Sequence, residues 1–165
     1  MASNCSFDVV SDFDRQELVN SVDQVRRELS QRYDLKDSNA VIEIEESEVS
    51  ITADSDMALN SIEQILRQKV IKRNLSIKIL DFQSIESIGG NRVKQRVVLR
   101  RGLSQEIAKN LSKYIRDELK KLTVSINGDS LRVTGKNKDD LQSAIQLLKL
   151  KENDLEIPLQ FENYR

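Results

Sequence analysis

Hydrophobic and polar positions along this chain follow two alternating periods, and the periods recur in the same order twice. After a strand candidate at residues 5–10, the acid-rich start Ser11, Asp12, Asp14 and Glu17 signals a helix. Leu18, Val22, Val25 and Leu29 then fall at helical spacing, predicting a helix over about residues 14–32. Ala40, Ile42 and Ile44 alternate with Glu43 and Glu45, and Val49, Ile51 and Ala53 alternate with Ser50 and Thr52. This is the pattern of a hairpin with one buried face. Asp54-Ser55-Asp56 starts a second helix carrying Leu59, Ile62, Leu66 and Val70, and a strand is expected at 75–80. Residues 81–91, with Gly89-Gly90, form the expected linker.

Beyond it the pattern restarts. Residues 93–101 alternate Val93, Val97 and Leu99 with Lys94, Arg96 and Arg100, as a strand does. Ser104 starts a helix bearing Ile107, Leu111, Ile115 and Leu119, and residues 123–135 form a hairpin expected to turn at Asn127-Gly128. A helix over about 138–149 presents Leu141, Ile145 and Leu148. Ile157, Leu159 and Phe161 mark a final strand, which Pro158 assigns to a sheet edge.

The two halves superimpose at a shift of 82 positions. Ile42, Ile44, Val49, Ile51 and Thr52 fall on Val124, Ile126, Leu131, Val133 and Thr134, and Leu75, Ile77 and Ile79 fall on Ile157, Leu159 and Phe161. The first helices and leading strands align at 89 instead, the extra seven residues matching a longer connection near Tyr33–Asn39. With a leading strand each, both copies read β-α-β-β-α-β. The α+β class follows: a tandem of two ferredoxin-like, ribonucleoprotein-like domains, each an antiparallel four-stranded sheet with both helices on one face.

The repeat leaves open which leading strand serves which copy, because residues 5–10 and 93–101 are equivalent, and charge is the arbiter between them. Glu43, Glu45 and Glu48 on the first hairpin suit the strand bearing Lys94, Arg96 and Arg100, while Asp8 suits the sheet containing Arg132. The leading strands are therefore expected to be exchanged. The first domain would comprise 13–101, including the exchanged strand 93–101, and the second 1–12 with 102–165.

Charge also suggests where a ligand binds. The chain as a whole is nearly neutral, at −1, which argues against a broadly basic nucleic-acid binder. Residues 1–92 carry 11 Lys/Arg against 17 Asp/Glu, and residues 93–165 carry 15 against 10. A phosphate-bearing partner is expected to favour the second half.

Other chemistries are narrowed by what is missing. With no histidine and a single cysteine, Cys5, the chain offers neither the usual general base nor a cysteine cluster for zinc, so no catalytic residue, metal or cofactor is expected. There is no G-x-x-x-x-G-K-[S/T] phosphate loop. The third strands, Val49–Ala53 and Leu131–Gly135, carry no aromatic residue, so a base-stacking RNA platform on them is absent. No apolar run reaches membrane-spanning length and no leader pattern opens the sequence, so a cytoplasmic location without membrane contact is expected.

The richest local constellation runs from Gly128 to Gln142. Gly135 is expected to free the backbone after the strand, Arg132 points away from the core, and Lys136 and Lys138 flank a helix start. Arg132, Thr134, Lys136 and Lys138 are the candidate nucleotide-binding residues, a helix N-terminus with adjacent cations being suited to phosphate. The competing reading is a tight turn whose Asp139 and Asp140 complement the helix dipole. Lys94, Arg96, Arg100 and Arg101 form a secondary basic patch, with pairing to the Glu43–Glu48 acids as the alternative.

Three stretches carry a family resemblance: Ser6-Phe-Asp-Val-Val-Ser-Asp, Gly128-Asp-Ser-Leu-Arg-Val-Thr-Gly-Lys-Asn-Lys-Asp-Asp-Leu-Gln and Pro158-Leu-Gln-Phe-Glu-Asn-Tyr-Arg. Together they resemble the bacterial YajQ family across essentially the whole chain. The resemblance implies two ferredoxin-like domains with exchanged N-terminal strands and a nucleotide-binding protein without established catalytic activity. It implies purine nucleotides (GTP, ATP) or cyclic di-GMP as ligands, with tRNA or RNA and a transcription regulator as further partners. The expected function is thus a non-enzymatic nucleotide-binding protein with a regulatory role. An RNA-binding adaptor and a protein-interaction regulator of transcription are the alternatives.

Overall fold

A computed structural model describes residues 4–165; residues 1–3, part of the stretch read above as lacking a leader pattern, lie outside the described residues. In chain order the elements are β1 (Cys5–Val10), α1 (Arg15–Gln31), β2 (Val41–Ile44), β3 (Glu48–Ala53), α2 (Asp56–Lys72), β4 (Leu80–Ile88), β5 (Arg92–Leu99), α3 (Gln105–Glu118), β6 (Thr123–Asn127), β7 (Ser130–Gly135), α4 (Lys138–Lys151) and β8 (Gln160–Glu162). Each α-helix starts where a short polar side chain can accept its free N–H groups. Asp14 accepts from Gln16 and Glu17, Ser55 from Ala58, Ser104 from Ile107 and Asn137 from Asp140.

The strands form two antiparallel four-stranded sheets, ordered β2-β3-β5-β4 and β6-β7-β1-β8. With four helices, this arrangement is consistent with two ferredoxin-like domains. The chain separates into two compact units, one spanning Phe13–Arg100 and the other joining the residues through Asp12 to Arg101–Arg165. Because the units do not divide at residue 92, the charge contrast between sequence halves disappears. The Phe13–Arg100 unit holds 14 Lys/Arg and 15 Asp/Glu, and the other holds 12 of each. Net charge therefore does not select either unit for an anionic partner.

In the Phe13–Arg100 unit, the helical stripes Leu18, Val22, Val25 and Leu59, Ile62, Leu66, Val70 pack on Val49, Ile51 and Val97, all essentially inaccessible to water. The exposed edge strand β2 is blunted by arginines of α1. Arg26 Nε donates to the Ile42 carbonyl at 3.0 Å, and Arg15 donates to the carbonyls of Glu45 and Glu46 at 2.7 and 2.9 Å.

Residues 81–91 are not a linker. Most of that stretch is β4, which pairs with β5 from Leu80↔Leu99 to Ile88↔Arg92 and turns through Gly89-Gly90-Asn91. Residues 77–79, expected in a strand, instead form a short 3-10 turn capped by Ser76, whose hydroxyl accepts from the Lys78 N–H. The repeat register shifts accordingly. Phe82 pairs with Val97 and Phe161 with Val9, so Phe82 and Phe161 are equivalent, 79 positions apart rather than 82. The leading strands correspond at 88 rather than 89, since Val9 faces Leu131 as Val97 faces Val49. A one-residue slip in a strand would have turned every side chain to the opposite face.

That corrected register sets buried Phe7, opposite Val133, against Gln95, opposite Ile51. Gln95 is 5% exposed, its Nε2 donates to the Gln83 carbonyl at 2.8 Å, and its Oε1 has no partner. An unpartnered buried acceptor costs about 1–3 kcal/mol, whereas the Gln83 carbonyl belongs to an exposed residue that water can reach. Gln95→Leu is therefore expected to stabilise the Phe13–Arg100 unit by about 1 kcal/mol, measurable as a higher urea midpoint at unchanged slope.

Candidate functional site

The second unit is built on β1, which lies between β7 and β8 with Phe7 and Val9 fully buried beneath α3 and α4. The β6–β7 hairpin closes with Asn127 paired to Ser130, so its two turn residues are Gly128 and Asp129 rather than Asn127 and Gly128. Gly128 has φ +61°, the left-handed value that the first position of a type II′ turn requires. Gly135 plays a different part from the one expected. It is the last residue of β7, paired with Cys5, and a Cβ there would stand 2.6 Å from Leu122 Cδ2, so glycine supplies room for packing.

The candidate residues separate by face. Arg132 and Thr134 alternate with buried Leu131 and Val133 and lie on the sheet face away from the helices. Arg132 is directly opposite Asp8 in register, and its Nε donates to Asp8 Oδ1 at 3.0 Å. Asn163 Nδ2 donates to the other oxygen at 2.8 Å, and the Asp8 residue is only 8% exposed. The Arg132 hydrogen bond, opposed by burial and reinforced by Asn163, holds the Asp8 carboxyl below the usual aspartate range; the same pairing raises Arg132. Arg132 thus already has an anionic partner within the fold.

Lys136 and Lys138 are exposed, where β7 passes into α4. Neither forms an ion pair among the described residues. Lys138 lines a cleft of about 220 Å³ beside Cys5, Ser6 and Gln142, and Ser6 is paired with Thr134 across the sheet. Tyr164 and Arg165 complete the cleft, two residues that sequence reasoning did not select. The sequence offers only a partial signal for Tyr164, its spacing three positions after Phe161, because Phe7, which meets both rings in space, lies at the far end of the chain, and it offers none for Arg165.

The secondary patch is divided. Lys94 and Arg96 stand on the outer face of β5, with Arg96 Nε 2.8 Å from Glu48 Oε2, and nearby Glu86 and Glu45 add to the upward shift that Glu48 imposes on Arg96. Arg100 meets Asp81 at 3.2 Å and donates to the Lys78 carbonyl, whereas Arg101 belongs to the other unit and meets Asp12 at 2.6 Å. Three of these four cations are engaged by carboxylates. Among the described residues no cluster of three or more side chains suited to a metal ion occurs, and no helix is long and apolar enough to cross a membrane.

A family model described as "Nucleotide-binding protein YajQ-like" matches residues 5–165. Proteins similar over the full length of both chains include "Nucleotide-binding protein SYNW1816" of Parasynechococcus marenigrum at 69% identity and "Nucleotide-binding protein P9211_04811" of Prochlorococcus marinus strain MIT 9211 at 66%. A "Nucleotide-binding protein" of Prochlorococcus marinus strain SARG is 62% identical over the same span. Agreement of that extent, through both sheets and the cleft between Cys5 and Arg165, means that the chain belongs to the YajQ-like family.

Proposed function

We propose that this chain is a non-enzymatic nucleotide-binding protein that takes a purine nucleotide or cyclic di-GMP in a regulatory role, at the end of the sheet where β7 enters α4. The names of its relatives support the ligand class. The observation that carries the location is Lys138, a cation without an ion pair among the described residues that lines a cleft, while Arg96, Arg100, Arg101 and Arg132 are occupied by carboxylates. Lys136 adds charge beside the α4 N-terminus, whose partial positive charge favours phosphate. Thr134, paired with Ser6, lies at the same end of the sheet but on the face away from the helices, so it is not among the cleft's lining residues. We also read β1 and β5 as exchanged leading strands of the two repeats, a reading supported by their equivalent ladder positions against β7 and β3.

Calorimetric titration with cyclic di-GMP, GTP and ATP tests the site. Lys138→Ala is expected to weaken the bound nucleotide about tenfold, as loss of a charge-assisted contact does, with a smaller loss for Lys136→Ala. Unchanged affinity in both variants overturns the location. Arg132→Ala is a poor probe because it also strips Asp8 of its partner.

A further inference from the structure

The cleft beside Lys138 has an aromatic wall that is held ready before any ligand arrives. Tyr164 stacks on Phe7 with ring centroids 6.2 Å apart and planes 29° from parallel, and Phe7 packs edge-on against Phe161 at 6.0 Å. Phe7 is fully buried while Tyr164 is 60% exposed, so one side of the Tyr164 ring rests on the core and much of the rest faces solvent.

The backbone explains how the ring is fixed there. Asp8 pairs with Glu162, yet Ser6 exchanges both backbone hydrogen bonds with Arg165, at 2.9 and 3.2 Å. One extra residue therefore lies on the Asn163–Arg165 side, and Asn163, at φ +56°, absorbs it as a bulge. The bulge leaves Tyr164 beside Phe7 and carries Arg165 to the mouth of the cleft. Arg165 and Lys138 bring two positive charges to that cleft, with part of the Arg165 field also reaching Asp8. Leu141 and Ile145 of α4 supply apolar lining, and Gln142 offers a side-chain amide that can both donate and accept.

From these observations we infer that the cleft binds one purine nucleoside monophosphate unit, its base stacked on Tyr164 and its phosphate between Lys138 and Arg165. The inference rests on the nucleotide-binding reading above and specifies how that site recognises its ligand. The volume of about 220 Å³ lies below the roughly 300–1,000 Å³ of pockets that enclose a whole drug-sized ligand. It suits one base with part of its sugar, whether that unit is a free mononucleotide or half of a cyclic dinucleotide.

The test uses the full chain with GMP, cyclic di-GMP and ribose 5-phosphate. Cys5 is the chain's one cysteine and lines the cleft, so its alkylation by iodoacetamide reports occupancy directly. GMP is expected to slow alkylation. Tyr164→Ala is expected to weaken GMP about tenfold, Tyr164→Phe to leave it within twofold, and ribose 5-phosphate to bind weakly and indifferently to either change. Cyclic di-GMP binding that depends equally on Tyr164 assigns the unit to a dinucleotide, and dependence for GMP alone assigns it to a mononucleotide. Far-ultraviolet dichroism confirms that the Tyr164→Ala chain is folded. GMP or cyclic di-GMP that binds without Tyr164 dependence, or without protecting Cys5, overturns this inference and leaves nucleotide binding intact. If neither these ligands nor GTP and ATP bind at all, both readings fail together.

Discussion

A chain shortened to begin at Phe13 is expected to keep one folded unit and lose the other. The Phe13–Arg100 unit draws all four strands and both helices from its own segment, so nothing it buries is removed. The other unit loses β1, an interior strand paired on both sides: five register pairs with β7 and three with β8. It also loses the fully buried Phe7 and Val9, which stabilise by about 1.5–3 kcal/mol each. Domains are stable by only about 0.05–0.15 kcal/mol per residue, so for a unit of this size the loss is comparable to its entire stability. Two-dimensional NMR of the shortened chain should show dispersed amide signals for about half the protein and collapsed signals for the rest. Adding a peptide of residues 1–12 should restore part of the lost dispersion. Full dispersion without the peptide would mean that β7 and β8 do not depend on β1.

The second large effect is expected at Asp8. Its carboxylate receives two hydrogen bonds, one charge-assisted, at 8% exposure. Asp8→Ala leaves Arg132, whose side chain is 36% exposed and can rehydrate, and orphans the amide of Asn163. The cost should be about 2 kcal/mol, within the range for a charged hydrogen bond and below that for a fully buried ion pair. The pH dependence has a definite sign. Because the folded-state pKa is depressed, chiefly by Arg132, the contribution is complete above the unfolded aspartate pKa near 3.8 and is lost as pH falls through the lower folded value. In urea unfolding followed at pH 7 and below pH 4, Asp8→Asn should flatten the acid dependence of this unit. Glu28, depressed by Lys69 and then Arg32, acts with the same sign in the Phe13–Arg100 unit and should be untouched by the substitution. An acid profile unchanged by Asp8→Asn would show that the pair contributes nothing.

Helix starts and hairpins were legible in the sequence because their determinants are local. Ser55 and Ser104 cap where their side chains can reach free N–H groups, and Val49, Ile51 and Ala53 alternate because one face of β3 is buried. The stretch after Leu80 was illegible for an equally local reason. The register breaks between Phe82 and Ile85, so the apolar positions run Leu80, Phe82, Ile85 and the period of two is lost. Polar Gln83, Ser84, Glu86 and Ser87 before a glycine pair then imitate a linker. The candidate site was legible only in part. Lys138 follows from its place at a helix start, but Tyr164 takes its meaning from Phe7, at the far end of the sequence, and the bulge at Asn163 leaves no pattern of its own.

The placement of β1 also sets an order of events during synthesis. It leaves the ribosome well ahead of its partners β7 and β8, which follow more than 120 residues later. At about 5–20 residues per second, β1 waits several seconds or longer while the whole of Phe13–Arg100 emerges and can fold. Throughout that interval Phe7 and Val9 are exposed on an unpaired strand, the kind of segment that chaperones hold and that neighbouring chains can capture. A strand made early is thus among the last to find its place, and the interval before β7 and β8 emerge is when it is most open to mispairing.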